Sequence, residues 1–427
     1  MIYEAKKEEI LKFRVDPPLF CPFYNIWGEY AYDFHTPFSL DPFKLPASST
    51  SGSPVVLSRD SFFGFLNDCG GSFSFDGSCF LTVTLQPGAK LYVSEHCAPM
   101  EEWKAYNRHF EQEKKTCAFW SDLEYCTWVE QSKQAALSGK TNSEVMSEDF
   151  VYQYIERIKK MSYPRGKFTI DDGWMVDRDE KGNYYLGDWE IDRKKFPHFE
   201  QLIADLKKEG FIPGLWLAPF TATKNSKLIR EHPELLGAPY SAERNWYNLL
   251  PREDILTDHY RRIFEYYAGL GFMKFKLDIS YGPKNDMIRI LKLIYGIIKD
   301  INPDIEVETH MPDIFATRYA DTVRINDVSF DAAGKWRSVV SGHYVVCKNS
   351  SPDRILNLDH IGTNASLSSA ENYLEHCGIL LEYAKESGGY PVISYLPDIF
   401  PETVWKEVRE RILTLYDASG ARREQTC

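Results

Sequence analysis

The sequence predicts an α/β protein: a closed (β/α)8 TIM barrel preceded by a small N-terminal β-rich domain. Two observations carry this. From about residue 116, short apolar runs alternate with segments of helical period, and eight such runs fit in the space one barrel needs. The stretch before it is different, rich in Pro, Ser, Gly and Phe. The expected boundaries are 1–115 for the β-rich domain and 116–420 for the barrel, and a chain of 427 residues has room for both.

In the first part, Cys79, Leu81, Val83 and Leu85 alternate with Thr82 and Thr84, the period of a half-buried strand. Pro54–Leu57 and Lys90–Val93 read as further short strands, and Pro46–Pro54 as a loop by composition. The eight barrel strands are expected at Leu123–Trp128, Lys167–Ile170, Ile212–Leu217, Met273–Leu277, Ile305–Thr309, Thr322–Ile325, Arg354–Leu358 and Pro391–Tyr395. Helices lie between them. Phe150, Val151, Tyr154, Ile155 and Ile158 share one face, as do Ile290, Leu291, Ile294, Ile297 and Ile298. Ser368 and Glu371 have capping-box spacing for a helix that stops at Gly388-Gly389. Parallel strands joined by helices imply right-handed crossovers, and no Gly-rich fingerprint follows the first strand to favour an open dinucleotide-binding sheet.

Charge and composition narrow the function. A net charge of −12 is the wrong sign for phosphate backbones or anionic lipid, so neither nucleic acid nor a membrane is an expected partner. No apolar run approaches the roughly 20 residues of a membrane span. Nine cysteines follow no zinc-like spacing, and the N-terminal MIYEAKKEEILKF has no apolar signal core, so a reducing, cytoplasmic setting is expected. Aromatic residues make up 15 %, a richness that suits ring-shaped ligands, although core filling accounts for most of it.

In such a barrel the chemistry belongs where strands end and βα loops begin. The second strand runs into Asp171-Asp172-Gly173-Trp174. The fourth ends Lys276-Leu277-Asp278, with the cation and carboxylate on one face. The fifth ends Glu308-Thr309-His310, and the sixth Arg324-Ile325-Asn326-Asp327. Each has an ordinary alternative: a strand-end Asp as a helix cap, Lys276 as an interior partner of Asp278, His310 as a wall residue, Arg324 as a tie to a loop carboxylate. Their joint delivery to one rim points instead to glycoside hydrolysis, which needs one carboxylate to attack the anomeric carbon and another to protonate the leaving oxygen. HExxH, GxxxxGK[ST] and GxSxG are absent, and neither a metal nor another cofactor is called for.

Three blocks in order, Ile170–Trp174, Gly187–Pro197 and Gly210–Phe220, together with Lys276-Leu277-Asp278, resemble the barrel of the α-galactosidases, glycoside hydrolase families 27 and 36. Asn326-Asp327, with Asp331 and Trp336 after it, is similar to the family's acid/base segment, and Ile361–Ser368 to a stretch after its seventh strand. The resemblance implies Asp278 as nucleophile and Asp327 as acid/base of a retaining, exo-acting α-galactosidase. It implies Asp171 and Asp172 on the sugar's 4- and 6-hydroxyls, Lys276 on ring hydroxyls, Arg324 and Glu308 towards the 2-position, and Trp128 and Trp174 as walls. Trp216 and His310 complete the expected sugar-contacting set, and the expected partner is an oligosaccharide or glycoside. Where family 36 has a Gly-rich loop after strand five, this chain has Thr309–Asp313. The sugar therefore stays open, with N-acetylgalactosamine among the candidates, as do transfer of raffinose-synthase type, a non-catalytic sugar-binding barrel, and the oligomeric state.

Overall fold

A computed structural model describes residues 1–19, 53–68, 70–110, 116–280, 282–325, 336–351, 353–362 and 369–423. Eight parallel strands close into a barrel in the spatial order third, fourth, fifth, sixth, seventh, eighth, first, second. They are Glu124–Cys126, Lys167–Ile170, Ile212–Leu217, Lys274–Leu277, Glu306–Thr309, Thr322–Arg324, Ile355–Ile361 and Tyr390–Ile393. Every expected strand is present. The first is shorter than expected because Thr127 takes helical dihedrals and Trp128 opens the helix Trp128–Ser138. Strand three can lie close to strand two because Gly214 has no side chain, where a Cβ would come within 2.5 Å of Thr169 Oγ1.

The apolar stripes form the helices Glu148–Lys160 and Lys284–Ile301 and are buried as the period requires. Helix Ala370–Ser387 is capped by Ser369, whose hydroxyl accepts from the Asn372 N–H at 3.1 Å, and it ends on left-handed Gly388. The expected cap, Ser368, lies outside the described residues. No helix among the described residues is long and apolar enough to cross a membrane.

Before the barrel lie two antiparallel sheets. One orders Ile2–Glu4, Lys90–Glu95, Ser61–Phe65 and Val55–Leu57, and the other Glu9–Arg14, Phe80–Leu85 and Gly71–Phe75. Leu81, Val83 and Leu85 are buried while Thr82 and Thr84 are half-buried, as the alternation predicts. The loop expected at Pro46–Pro54 falls mostly outside the described residues. Helix Pro99–Asn107 and the residues after it join this part to the barrel: the Phe110 ring packs edge-on against Phe315 at 5.8 Å, under Arg318.

Two features were not expected from sequence. A three-stranded antiparallel sheet, Thr221–Thr223, Trp246–Leu249 and Leu236–Ser241, rises from the loop after the third strand. The barrel interior is also ionic. Period-2 geometry turns Lys167, Lys274, Glu124, Glu306 and Glu308 inward. Lys274 Nζ there meets Glu124, Glu308 at 2.6 Å and the Tyr390 hydroxyl at 3.0 Å, while Lys167 Nζ meets Glu306 at 2.9 Å. All are fully buried, so each charge depends on its partners rather than on water.

Candidate active site

One level above this network, at the C-terminal ends of the strands, is a second cluster. Asp278 follows the fourth strand and extends its pairing through an N–H bond to Leu217 O. Its Oδ2 accepts from Trp216 Nε1 at 2.8 Å, and its Oδ1 accepts from the Ile279 N–H at 2.7 Å and lies 2.9 Å from His310 Nδ1. Burial alone would push this carboxyl up. The His310 imidazole beside it, then Lys276 and Arg324, hold it well below the usual carboxylate range, so Asp278 is an anion at neutral pH.

Lys276 is expected beside Asp278, but its Nζ pairs with Asp171 Oδ2 at 2.6 Å. That oxygen also accepts from the buried Cys126 thiol at 3.1 Å. Asp171 is fixed further by its own N–H to Thr127 Oγ1 and by the Asp172 N–H to its Oδ1, each 2.9 Å. Asp172 is only half-buried and forms no direct ion pair among the described residues, Lys195 acting on it from farther away. Burial, then the charges of Asp171, Asp177 and Asp278, push its carboxyl up to about 7.

Asp172 thus carries an unfavourable charge, which Asp172→Asn removes. The folded group takes its proton near pH 7 and the unfolded one near 3.9, so the penalty is fully present above 7 and shrinks as pH falls. Asp172→Asn is expected to raise the melting temperature more at pH 8 than at pH 5. Equal shifts in thermal melts at the two values would contradict this.

Between the fifth and seventh strands, Arg324 grips Asp359 Oδ1 through Nε at 3.1 Å and Nη2 at 2.8 Å, and its Nη1 lies 3.3 Å from His310 Nε2. The ordinary reading of Arg324, a tie to a carboxylate, therefore describes what it touches here. Asp359 is fully buried in left-handed backbone, φ 68°. Next to it His360 is buried, with both ring nitrogens lacking a hydrogen-bond partner among the described residues. Sequence reasoning passed over Asp359, His360 and Cys126. The signal for the first two was present, because in Leu358-Asp359-His360-Ile361 two adjacent polar residues sit between apolar ones.

Two expected sugar contacts are corrected. Trp174 is 0 % exposed. It lies in the wall against Phe199 and Tyr267, and its Nε1 donates to Trp216 O, so no ring reaches a ligand from it. Glu308 is likewise 0 % exposed and belongs to the ionic layer below, bonded to Lys274, Tyr390 and Asn357 Nδ2. Asp327 lies outside the described residues. Asp278, Asp171, Asp172, Lys276, His310, Arg324, Trp216 and Trp128 come from the first six strands and gather at one rim. Beside them a cavity of about 230 Å³ is lined by Trp128, Asp172, Trp216, Tyr184, Arg244 and Trp246 among others. Trp246 comes from the unforeseen sheet, and Arg244 from the turn leading into it.

Residues 140–257 match the melibiase family model. Alpha-galactosidase 1 of Pediococcus pentosaceus is 38 % identical over 87 residues, which are 19 % of this chain and 12 % of that protein. Alpha-galactosidase Mel36A of Lactobacillus acidophilus is 35 % identical over 155 residues, 35 % of this chain and 20 % of its relative. The matched stretches thus span a fifth or less of these relatives. In fold the likeness is broader: TtGalA, an α-galactosidase from Thermus thermophilus, superposes with a TM-score of 0.69 at 17 % identity over 96 % of this chain and 88 % of its own. AgaA of Geobacillus stearothermophilus gives 0.60 at 16 % identity over 94 % and 61 %. Across residues 140–257 the chain is thus similar in sequence to the melibiase family model, and over nearly its whole length it shares the fold of the α-galactosidase structures.

Proposed function

We propose that the protein is a retaining, exo-acting α-glycosidase that hydrolyses terminal α-galactosides. The observation that carries this is Asp278, a carboxylate held ionised at the end of the fourth strand beside a cavity lined by Trp216 and Asp172. In the first step an electron pair of Asp278 forms a bond to C1 of the sugar as the bond from C1 to the aglycone oxygen breaks. Asp327, the expected acid, gives its proton to that oxygen. In the second step Asp327 takes a proton from water, whose oxygen attacks C1 and frees Asp278, so configuration is retained overall.

Asp171 and Asp172 would accept hydrogen bonds from the 4- and 6-hydroxyls, with Lys276 ordering Asp171 for that task. An epimer lacking the axial 4-hydroxyl would leave buried polar groups unpaired, a discrimination much larger than that from a lost methylene. A panel of aryl α-glycosides, with galactose, N-acetylgalactosamine and glucose as the sugar, tests the reading. Turnover of the galactoside with the α-anomer formed first, seen by proton NMR, is the expected result. A β-anomer formed first would mean inversion, and sugar binding without turnover on any member would mean a binding protein.

A further inference from the structure

On the reading that Asp278 is the nucleophile, its surroundings distinguish its two oxygens. Oδ1 accepts from the Ile279 N–H at 2.7 Å and lies at ion-pair distance, 2.9 Å, from His310 Nδ1, while Oδ2 accepts from Trp216 Nε1 at 2.8 Å. Trp216, the donor to Oδ2, also lines the cavity that reaches Asp172. The Ile279 contact comes at a cost. Its φ is 53°, a left-handed conformation that is unfavourable for a β-branched side chain, and strain of this kind persists where the surroundings impose it. That turn brings the N–H of Ile279 onto the neighbouring carboxylate.

His310 completes the arrangement. Its Nε2 lies 3.3 Å from Arg324 Nη1, a group that only donates, and 3.4 Å from Glu308 Oε1. Whether Nε2 accepts from the first or donates to the second, Nδ1 beside an ionised carboxylate must carry a proton, since a bare lone pair there would be repelled. Arg324 is anchored by Asp359, and Glu308 by Lys274, so the ring is held from behind by two buried ion pairs.

We propose that His310 is a positioning residue for Asp278: with the strained Ile279 N–H it holds Oδ1 and leaves Oδ2 as the oxygen that attacks C1. In the covalent intermediate the ester then runs through Oδ2, while Oδ1 becomes its carbonyl oxygen and keeps both donors.

Three variants test this on an aryl α-galactoside. His310→Ala frees the carboxylate to rotate, and kcat is expected to fall about 100-fold with KM changed less than threefold, the scale of a misplaced reacting group. His310→Asn puts an amide nitrogen close to the place of Nδ1 and recovers at least tenfold, and His310→Gln, which puts it elsewhere, recovers less. A merely structural histidine would give no such ranking, so equal losses in Asn and Ala, or a loss confined to KM, overturn the proposal. A second readout needs no turnover. In nitrogen-15 histidine NMR at pH 7.5, the signal missing from His310→Ala is expected to show a protonated Nδ1, and a bare Nδ1 overturns the proposal even if the parent protein is active. A parent that turns over no glycoside would defeat the hydrolase reading instead, leaving the Nδ1 result to decide the contact.

Discussion

Asp278→Ala is expected to reduce kcat on an activated aryl α-galactoside on the order of 10⁴-fold or more, because it removes the carboxylate that makes the bond to C1. The small space vacated by the carboxylate is lined by donors, Trp216 Nε1, the Ile279 N–H and His310, which suits a compact anion. Added azide is therefore expected to restore turnover in the variant and leave a β-galactosyl azide, formed by a single displacement at C1. Recovery of an α-product, or a loss of less than tenfold without azide, would remove Asp278 from the role of nucleophile. Stability gives an independent check. The folded-state pKa of Asp278 is depressed, so its charge contributes stability above the ordinary carboxylate pKa that would be lost only in strong acid. At pH 7 the Ala variant should melt lower than the parent, opposite in sign to Asp172→Asn.

The contrast between these neighbouring carboxylates shows what could be read in the residue order. The eight strands were legible because each is a short apolar run between helices of clear period, and the chemistry at their ends followed from the barrel rule. Lys276 and Asp278 share a face, as period 2 requires, yet Lys276 pairs with Asp171 from two strands away. Pairing across a barrel depends on stagger, and no local pattern encodes it. Trp174 was misread for a related reason: after Gly173, whose φ of 103° turns the chain, the indole points into the wall of helices and not over the mouth. The sheet carrying Trp246 escaped notice because its strands have three to six residues each, with a bulged register, and so offer no sustained alternation.

Glu308 was placed one layer too high, and the layer it occupies predicts the largest effect on stability. Lys274→Met removes the cation that Glu124 and Glu308 share, and leaves fully buried carboxylates. Removing one partner of such a buried set typically costs about 3–5 kcal/mol, whereas replacing the whole set by apolar residues of equal volume can be neutral. The cost should therefore shrink in Lys274→Met combined with Glu124→Gln and Glu308→Gln, although each added change removes another native contact. The dependence on pH carries the sharper distinction. In the parent, Glu308 is held well below its ordinary range: burial opposes its charge, but Lys274 and then His310 outweigh it. Its contribution is thus constant from pH 8 to pH 5 and disappears only in stronger acid. Without Lys274 the buried carboxyls bind protons more tightly than in the unfolded chain, so the variant should gain stability as pH falls over that same interval. Urea unfolding of both proteins at pH 8 and pH 5 reads this directly. A deficit that is the same at both values would mean that Lys274 contributes by packing its stem and not by neutralising the barrel interior.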